Sequence, residues 1–413
     1  MKPRVKILSA CFSFLIAGVF YAEAAYPLAA AKTAGWTVKL TGYVKNIATY
    51  TEPSEYPTHL LLGIPENPLF PLGNIERDEH WENYTRLRLR MNGRRGGRWA
   101  WELHYEMRGL ALNPDFTLAS FLDGGSRSEQ WLSLDARLYD EPGYEIEHML
   151  DRAWMRWTPK WGEIVVGRQA ITWTSGKLWY PTDLFGPFLP FDIDQDEKRG
   201  VDASNIAINL GSLSSFRMIY APLENRDDAR VGARLKTTLA GFDIHLMGGY
   251  FVGDRVGGGS LAHNLFGAVM RAEAAYTHPL RDDDRWSMVV NADAGLPHNV
   301  YVAVEYFHQS EGAKSKSEYW RSTDLFYRDK LHGLAQDYAG CILTWSATPL
   351  LTPGLSGVVN LLDTSFFVGP SVKYKPMENV TLTAAANIFT PHGSDSEYGL
   401  YPNTYYASVK AFF

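Results

Sequence analysis

The chain has 413 residues, 40 basic and 46 acidic side chains and a net charge of −6, which argues against a nucleic-acid partner. Cys11 and Cys341 are its only cysteines, so a disulfide framework, a paired-cysteine metal site and a C-x-x-C-H haem attachment are all excluded. No G-x-S-x-G nucleophile motif occurs and the histidines are scattered, so neither an enzyme nor a resident cofactor is expected.

The N-terminus reads as a secretory leader. Lys2, Arg4 and Lys6 precede the apolar run "ILSACFSFLIAGV", and Ala22-Glu23-Ala24 offers a cleavage site. Residues 1–24 are therefore expected to be removed, leaving 25–413 as one domain with no linker or change of composition. The apolar run is shorter than the roughly 20 residues of a spanning helix. No later run is long enough either, so a secreted chain that enters a membrane must do so as a closed barrel.

The segment 36–45 is the first to alternate. Trp36, Val38, Leu40 and Val44 oppose Thr37, Lys39, Thr41, Tyr43 and Lys45. The stretch "TRLRLRMNGRRGGRWAWELHYEMRG" (85–109) repeats the pattern as a hairpin. Thr85, Leu87, Leu89 and Met91 oppose Arg86, Arg88 and Arg90 on the outbound run. Trp99, Trp101, Leu103, Tyr105 and Met107 oppose Glu102, His104, Glu106 and Arg108 on the return. Grease toward lipid and charge toward an enclosed aqueous space is the barrel solution. On this reading Arg86, Arg88, Arg90, Glu102, His104, Glu106 and Arg108 line the pore. Arg152 and Arg156 join them from the next strand, and Arg230 and Arg234 from "ARVGARLK" (229–236). Two readings of these charges stand side by side: a transverse field that sorts solutes, and structural ion pairs that fill the lumen.

The segments 151–157 and 164–169 have mixed faces and read as strands mainly from their neighbours. Residues 167–203 are the most distinctive stretch, rich in proline, glycine and aromatics, and are expected to form either an external lid or a loop folded into the bore. Trp173, Trp179, Asp183, Phe185 and Arg199 are its candidate functional residues. Asp192, Asp194 and Asp196 alternate as in calcium loops. However, Glu197 and Ala203 occupy the positions that need glycine and glutamate, which leaves them a weak calcium candidate and no other metal site is read.

Long stretches fall at about 51–82, 109–147, 172–200, 310–338 and 390–403, with short turns between, as barrels alternate periplasmic turns and external loops. Keeping every long stretch after a rising strand requires a tight turn near Gly267-Ala268, which splits 258–278 into two strands. The fold expected is thus an all-β transmembrane antiparallel barrel of about eighteen strands, with sixteen the second choice. The last segment, "YYASVKAFF", puts Tyr405, Ala407, Val409, Ala411 and Phe413 on one face.

That ending resembles the last-strand signal of Gram-negative outer-membrane proteins, which implies Phe413 as a signal for the barrel-assembly machinery. Gly167-Arg168-Gln169, Trp173, Pro181, Asp183, Phe185, Pro187 and Arg199-Gly200-Val201-Asp202-Ala203 resemble a signature of proteobacterial porin-like barrels. They are similar to alginate-exporter-type barrels and to the porin subunits of porin–cytochrome conduits. The resemblance implies a bacterial outer-membrane location among lipid and three functions. These are a passive channel for small polar or anionic solutes, a polysaccharide exporter, and a sheath around a periplasmic or multihaem cytochrome partner.

Overall fold

The computed structural model describes residues 28–61, 73–112, 130–185, 193, 194, 196–223, 229–280, 282–327, 331–391 and 396–413. The expected leader, Pro187 and Asp192 lie outside them. The first strands are β1 (Ala29–Thr33), β2 (Trp36–Thr51), β3 (Ser54–Pro57), β4 (Asn74–Arg77), β5 (His80–Arg95), β6 (Trp99–Leu112) and β7 (Asp135–Glu141). Next come β8 (Tyr144–Trp157), β9 (Gly162–Gln169), β10 (Val201–Asn209), β11 (Ser215–Ala221), β12 (Arg230–Leu239), β13 (Phe242–Phe251), β14 (Asp254–Leu265) and β15 (Ala268–His278). The remainder are β16 (Arg285–Leu296), β17 (Val300–Gln309), β18 (Asp337–Trp345), β19 (Leu351–Asn360), β20 (Phe366–Met377), β21 (Val380–Thr390) and β22 (Thr404–Phe412).

Eighteen of these strands form a closed antiparallel barrel. Each pairs with its neighbour in the chain, and β22 returns to β2 in a register running from Tyr43↔Phe412 to Thr51↔Thr404. Closure leaves no bare edge, which is what a sheet in lipid requires. Four strands stand outside the cylinder. β1 pairs with the end of β2 that β22 does not reach, β7 pairs with the half of β8 beyond β9, and β3–β4 is a separate ribbon.

The alternation decides which face each residue takes. Met218, Leu246, Leu261, Met270, Val290, Val304, Leu343, Leu355 and Val372 are all exposed on the outer wall. Aromatics bound this belt at both ends: Trp99, Trp157, Trp161 and Trp345 at one, and Trp81, Tyr276, Trp286 and Tyr405 at the other. Exposed apolar side chains ringed by aromatics are the surface of a protein solvated by acyl chains. No described helix is long and apolar enough to cross a membrane.

The tight turn expected near Gly267 is present. Phe266 and Gly267 both have positive φ, as do Ala240 and Gly241, the backbone of two-residue hairpin turns that match strand twist. Long connections follow β2, β6, β9, β17 and β21, all at the end opposite these turns.

Candidate functional site

β9 ends at Gln169 and β10 begins at Val201, and the described residues between them, 170–185, 193, 194 and 196–200, lie within the barrel. Its two feet are joined on both faces of the sheet. Arg168 faces outward and donates from Nε to Asp202 Oδ1 and from Nη2 to Asp202 Oδ2, each at 2.8 Å. Leu132 covers this pair, donating from its backbone N to Asp202 Oδ2 at 3.0 Å. On the inner face, Gln169 Nε2 donates to the Ala203 carbonyl at 3.1 Å, and Asn205 Nδ2 donates to Gln169 Oε1 at 3.1 Å. Gly167 has φ +115°, and a Cβ there would lie 2.2 Å from the Ala153 carbonyl oxygen. A Cβ on Gly200 would lie 2.1 Å from the Asp151 carbonyl oxygen. Both feet therefore need glycine, for close backbone approach.

The first half of the segment docks on the far wall. Glu305, on the inner face of β17, accepts hydrogen bonds from the backbone N–H of Lys177 (2.8 Å), Leu178 (3.0 Å) and Trp179 (2.8 Å), and from Asn291 Nδ2 (3.1 Å). Glu273, on β15, accepts from Ser175 N (2.6 Å), Thr182 N (2.9 Å) and the hydroxyls of Thr174, Ser175 and Thr182. Two carboxylates on the wall thus satisfy the backbone donors of a loop that has no sheet to pair with. Around them, Trp179 stacks on Phe307 with ring centroids 5.3 Å apart, and Phe185 packs against Trp173 and Phe251 at 5.4 and 5.3 Å. Small wall residues make the room. A Cβ on Gly340 would meet Leu178, and one on Gly232 would meet Trp173.

The last half docks on the opposite wall by charge. Asp194 lies 2.9 Å from both Lys45 and Arg86, and Asp196 lies 2.7 Å from Lys45 and 3.1 Å from Lys410. Glu197 pairs with Arg90 and lies 3.6 Å from Arg88. Lys198 pairs with Asp183, which ties the two halves together. Beneath this layer Arg88 pairs with Glu106 and Asp151 in the wall itself, and Arg108 bridges Glu106 and Glu147.

The sequence-selected residues separate into distinct positions. Arg86, Arg88, Glu106 and Arg152 face inward but are buried beneath the segment, within 6 % exposure, where the arginines meet protein carboxylates or carbonyls and Glu106 meets arginines. His104, with Nδ1 3.2 Å from Arg88 Nη2, sits at the edge of this layer. Arg90, Glu102 and Arg156 remain about one-third exposed on the inner wall, and Arg156 lies 3.6 Å from Glu163. Arg234 stacks on Trp173 at 5.5 Å, and Arg230 pairs in register with Phe251 at the outer end of β12. Trp173, Trp179, Asp183 and Phe185 are all buried within the inward segment, while Arg199 forms no ion pair among the described residues. Asp194 and Asp196 hold lysine and arginine side chains, and no group of three or more metal-ligating side chains occurs among the described residues.

Glu273, Glu305 and Lys410 escaped the sequence reading, which places Lys45 on a polar face without a role. A usable signal did exist for Glu305. It is the one acid on an inner face otherwise made of Tyr301, Ala303, Phe307 and Gln309, which marks a wall awaiting donors.

No family model and no curated protein matches this chain. Among solved structures it is similar to Pseudomonas aeruginosa OccK5 (OpdH), with TM-score 0.52 and 8% identity over 91% of this chain and 98% of that one. It is also similar to OccD3 (OpdP) of the same organism, with TM-score 0.51 and 11% identity over 94% and 95%. The likeness establishes a shared fold, that of a closed antiparallel β-barrel.

Proposed function

We propose that this protein is an outer-membrane channel through which small polar and anionic solutes diffuse, with segment 170–200 narrowing the bore. The observation that carries this reading is a set of inward-facing cations left without carboxylate partners. Arg234 and Lys236 on β12, Lys39 on β2, Arg94 on β5 and Lys373 on β20 share the inner face by alternation. None has a carboxylate within ion-pair distance among the described residues. Arg217, paired in register with Arg234, has Glu163 at 3.6 Å. Inner-wall carboxylates at the short-turn end are fewer, and Glu163 is shared between Arg156 and Arg217. Unpaired cations around a water-filled bore attract and concentrate anions. The described parts of that segment weigh against a sheath around a folded cytochrome, because Trp179, Phe185, Asp194 and Glu197 occupy inner-wall positions that such a partner would fill.

Planar-bilayer recording of the purified protein tests the reading. We expect ion conductance, with a reversal potential in a KCl gradient displaced toward chloride. Replacing Arg234 and Lys236 with glutamine should reduce that displacement. Absence of current at every salt concentration would remove the channel reading, and a cation-selective parent would remove the anion preference.

A further inference from the structure

The inward segment carries its own anions to the wall where an anionic solute would bind. β22, β2 and β5 bring five cations side by side on the inner face. Lys45 is in register with both Lys410 and Arg86, and Tyr43 and Thr41 are in register with Arg88 and Arg90. Asp194, Asp196 and Glu197 lie against all five. The pairing is uneven, and the unevenness is informative. Arg86 keeps Glu106 at 3.1 Å, and Arg88 keeps both Glu106 and Asp151, whatever the segment does. Lys45, Arg90 and Lys410 have no carboxylate other than those of the segment among the described residues.

We infer that Asp194, Asp196 and Glu197 are specificity-determining residues: tethered counter-anions that occupy Lys45, Arg90 and Lys410 and thereby limit how strongly the bore selects and holds anionic solutes. Asp196 is 40% exposed and Arg90 31%, so these pairs sit at the surface of the bore, where a dissolved carboxylate or phosphate competes with them. A side-chain carboxylate and a solute oxyanion offer the same acceptors to an ammonium or guanidinium group. The tethered groups hold an advantage of local concentration that a solute must overcome. The first half of the segment does not depend on these three residues for its position, because Trp179, Phe185 and the donors to Glu305 and Glu273 fix it.

The inference rests on the channel reading, and recording from the full chain separates the two. In the triple variant D194N/D196N/E197Q we expect the chloride-to-potassium permeability ratio to rise about twofold or more. Added inorganic phosphate should then block the chloride current at lower concentration than in the parent. A triple variant that migrates as a folded barrel and shows an unchanged or lower ratio overturns the inference. If the triple variant does not fold, D196N alone is decisive in the same way: a higher ratio supports the inference and an unchanged one overturns it. A parent with no anion preference whose variant gains one would sink the proposed solute class and leave the inference standing. An anion-selective parent matched by its variant would do the reverse.

Discussion

Arg168 on β9 and Asp202 on β10 form a two-point ion pair on the outer face of the barrel, both nearly fully buried. A charge on that face is costly wherever lipid can reach it. Here the pair is shielded by Leu132, whose backbone serves both partners, and by the Leu150 carbonyl, 3.1 Å from Arg168 Nη1. The pair fixes the separation between the strand that sends the inward segment off and the strand that receives it. Removing one partner leaves an uncompensated buried charge, so Asp202→Ala should cost about 3–5 kcal/mol. A lower temperature of conversion from the folded to the unfolded gel band would show this. Arg168→Met combined with Asp202→Leu should recover much of the loss, and a single variant as heat-resistant as the parent would refute the clamp.

Glu305 provides a second test, of the loop rather than the barrel. Its carboxylate satisfies three consecutive backbone donors that have no other described acceptor. Each orphaned donor is worth about 1–3 kcal/mol when buried. Glu305→Ala should therefore release the Lys177–Trp179 stretch from β17 while the strand ladder stays intact. The expected result is a larger conductance and admission of larger polyethylene glycols, with a heat-conversion temperature close to the parent. Unchanged size exclusion would mean that Trp179 stacked on Phe307 suffices to hold the segment.

The strand ladder was legible because a period of two survives wherever lipid faces one side and water the other. "TRLRLRM" and "NVTLTAAANIF" state their faces outright. The pattern blurs at 151–157 for a local reason. The partners of His104 and Tyr105 are Arg152 and Leu150, so Asp151 is an extra residue in a bulge and the alternation changes phase there. It blurs at Arg168 because a charged residue faces outward under cover of residues 130–134, a tertiary contact that no local pattern encodes. The destination of residues 170–200 was illegible for the same reason. It depends on Glu273 and Glu305, about one hundred residues downstream, meeting backbone donors that carry no sequence signature.

The C-terminus closes the barrel through one glycine. Gly42 and Phe413 exchange backbone hydrogen bonds, N to O at 2.8 Å and 3.0 Å, and the Phe413 ring lies over the Gly42 Cα. A Cβ at position 42 would lie 2.6 Å from both that ring and the Arg88 carbonyl oxygen. Gly42→Val should therefore destabilise the seam by about 1–3 kcal/mol, as overpacking does. Phe413→Ala in the same chain should restore part of the loss, because only the ring half of the clash is removed. Equilibrium unfolding in urea of the two single variants and the double variant reads the coupling directly. Strictly additive effects would show that ring and glycine do not meet.

Outside the membrane belt, acidity should tighten the cap of loops. Glu397, between β21 and β22, is fully buried, and its Oε2 accepts from Tyr338 Oη at 2.6 Å and Asn360 Nδ2 at 2.7 Å. Its Oε1 accepts from Leu334 N at 2.9 Å, and its own N donates to Asp363 Oδ2 at 2.7 Å, which Tyr319 also reaches at 2.7 Å. No cation lies within ion-pair distance of Glu397 among the described residues, and burial pushes its carboxyl up from 4.5 to about 7. A carboxyl raised in the folded state favours folding in its protonated form. Below its unfolded value both states hold the proton and nothing is lost. The penalty then grows through the interval up to about 7 and levels off above it, on the order of 3 kcal/mol. Amide exchange of residues 331–338 and 396–403 should accordingly be slower at about pH 5.5 than at about pH 8, once corrected for intrinsic rates. Glu397→Gln, which keeps the acceptor for Leu334 or Tyr338 without a proton to lose, should abolish that difference. A pH dependence that persists in the glutamine variant would place the titrating group elsewhere.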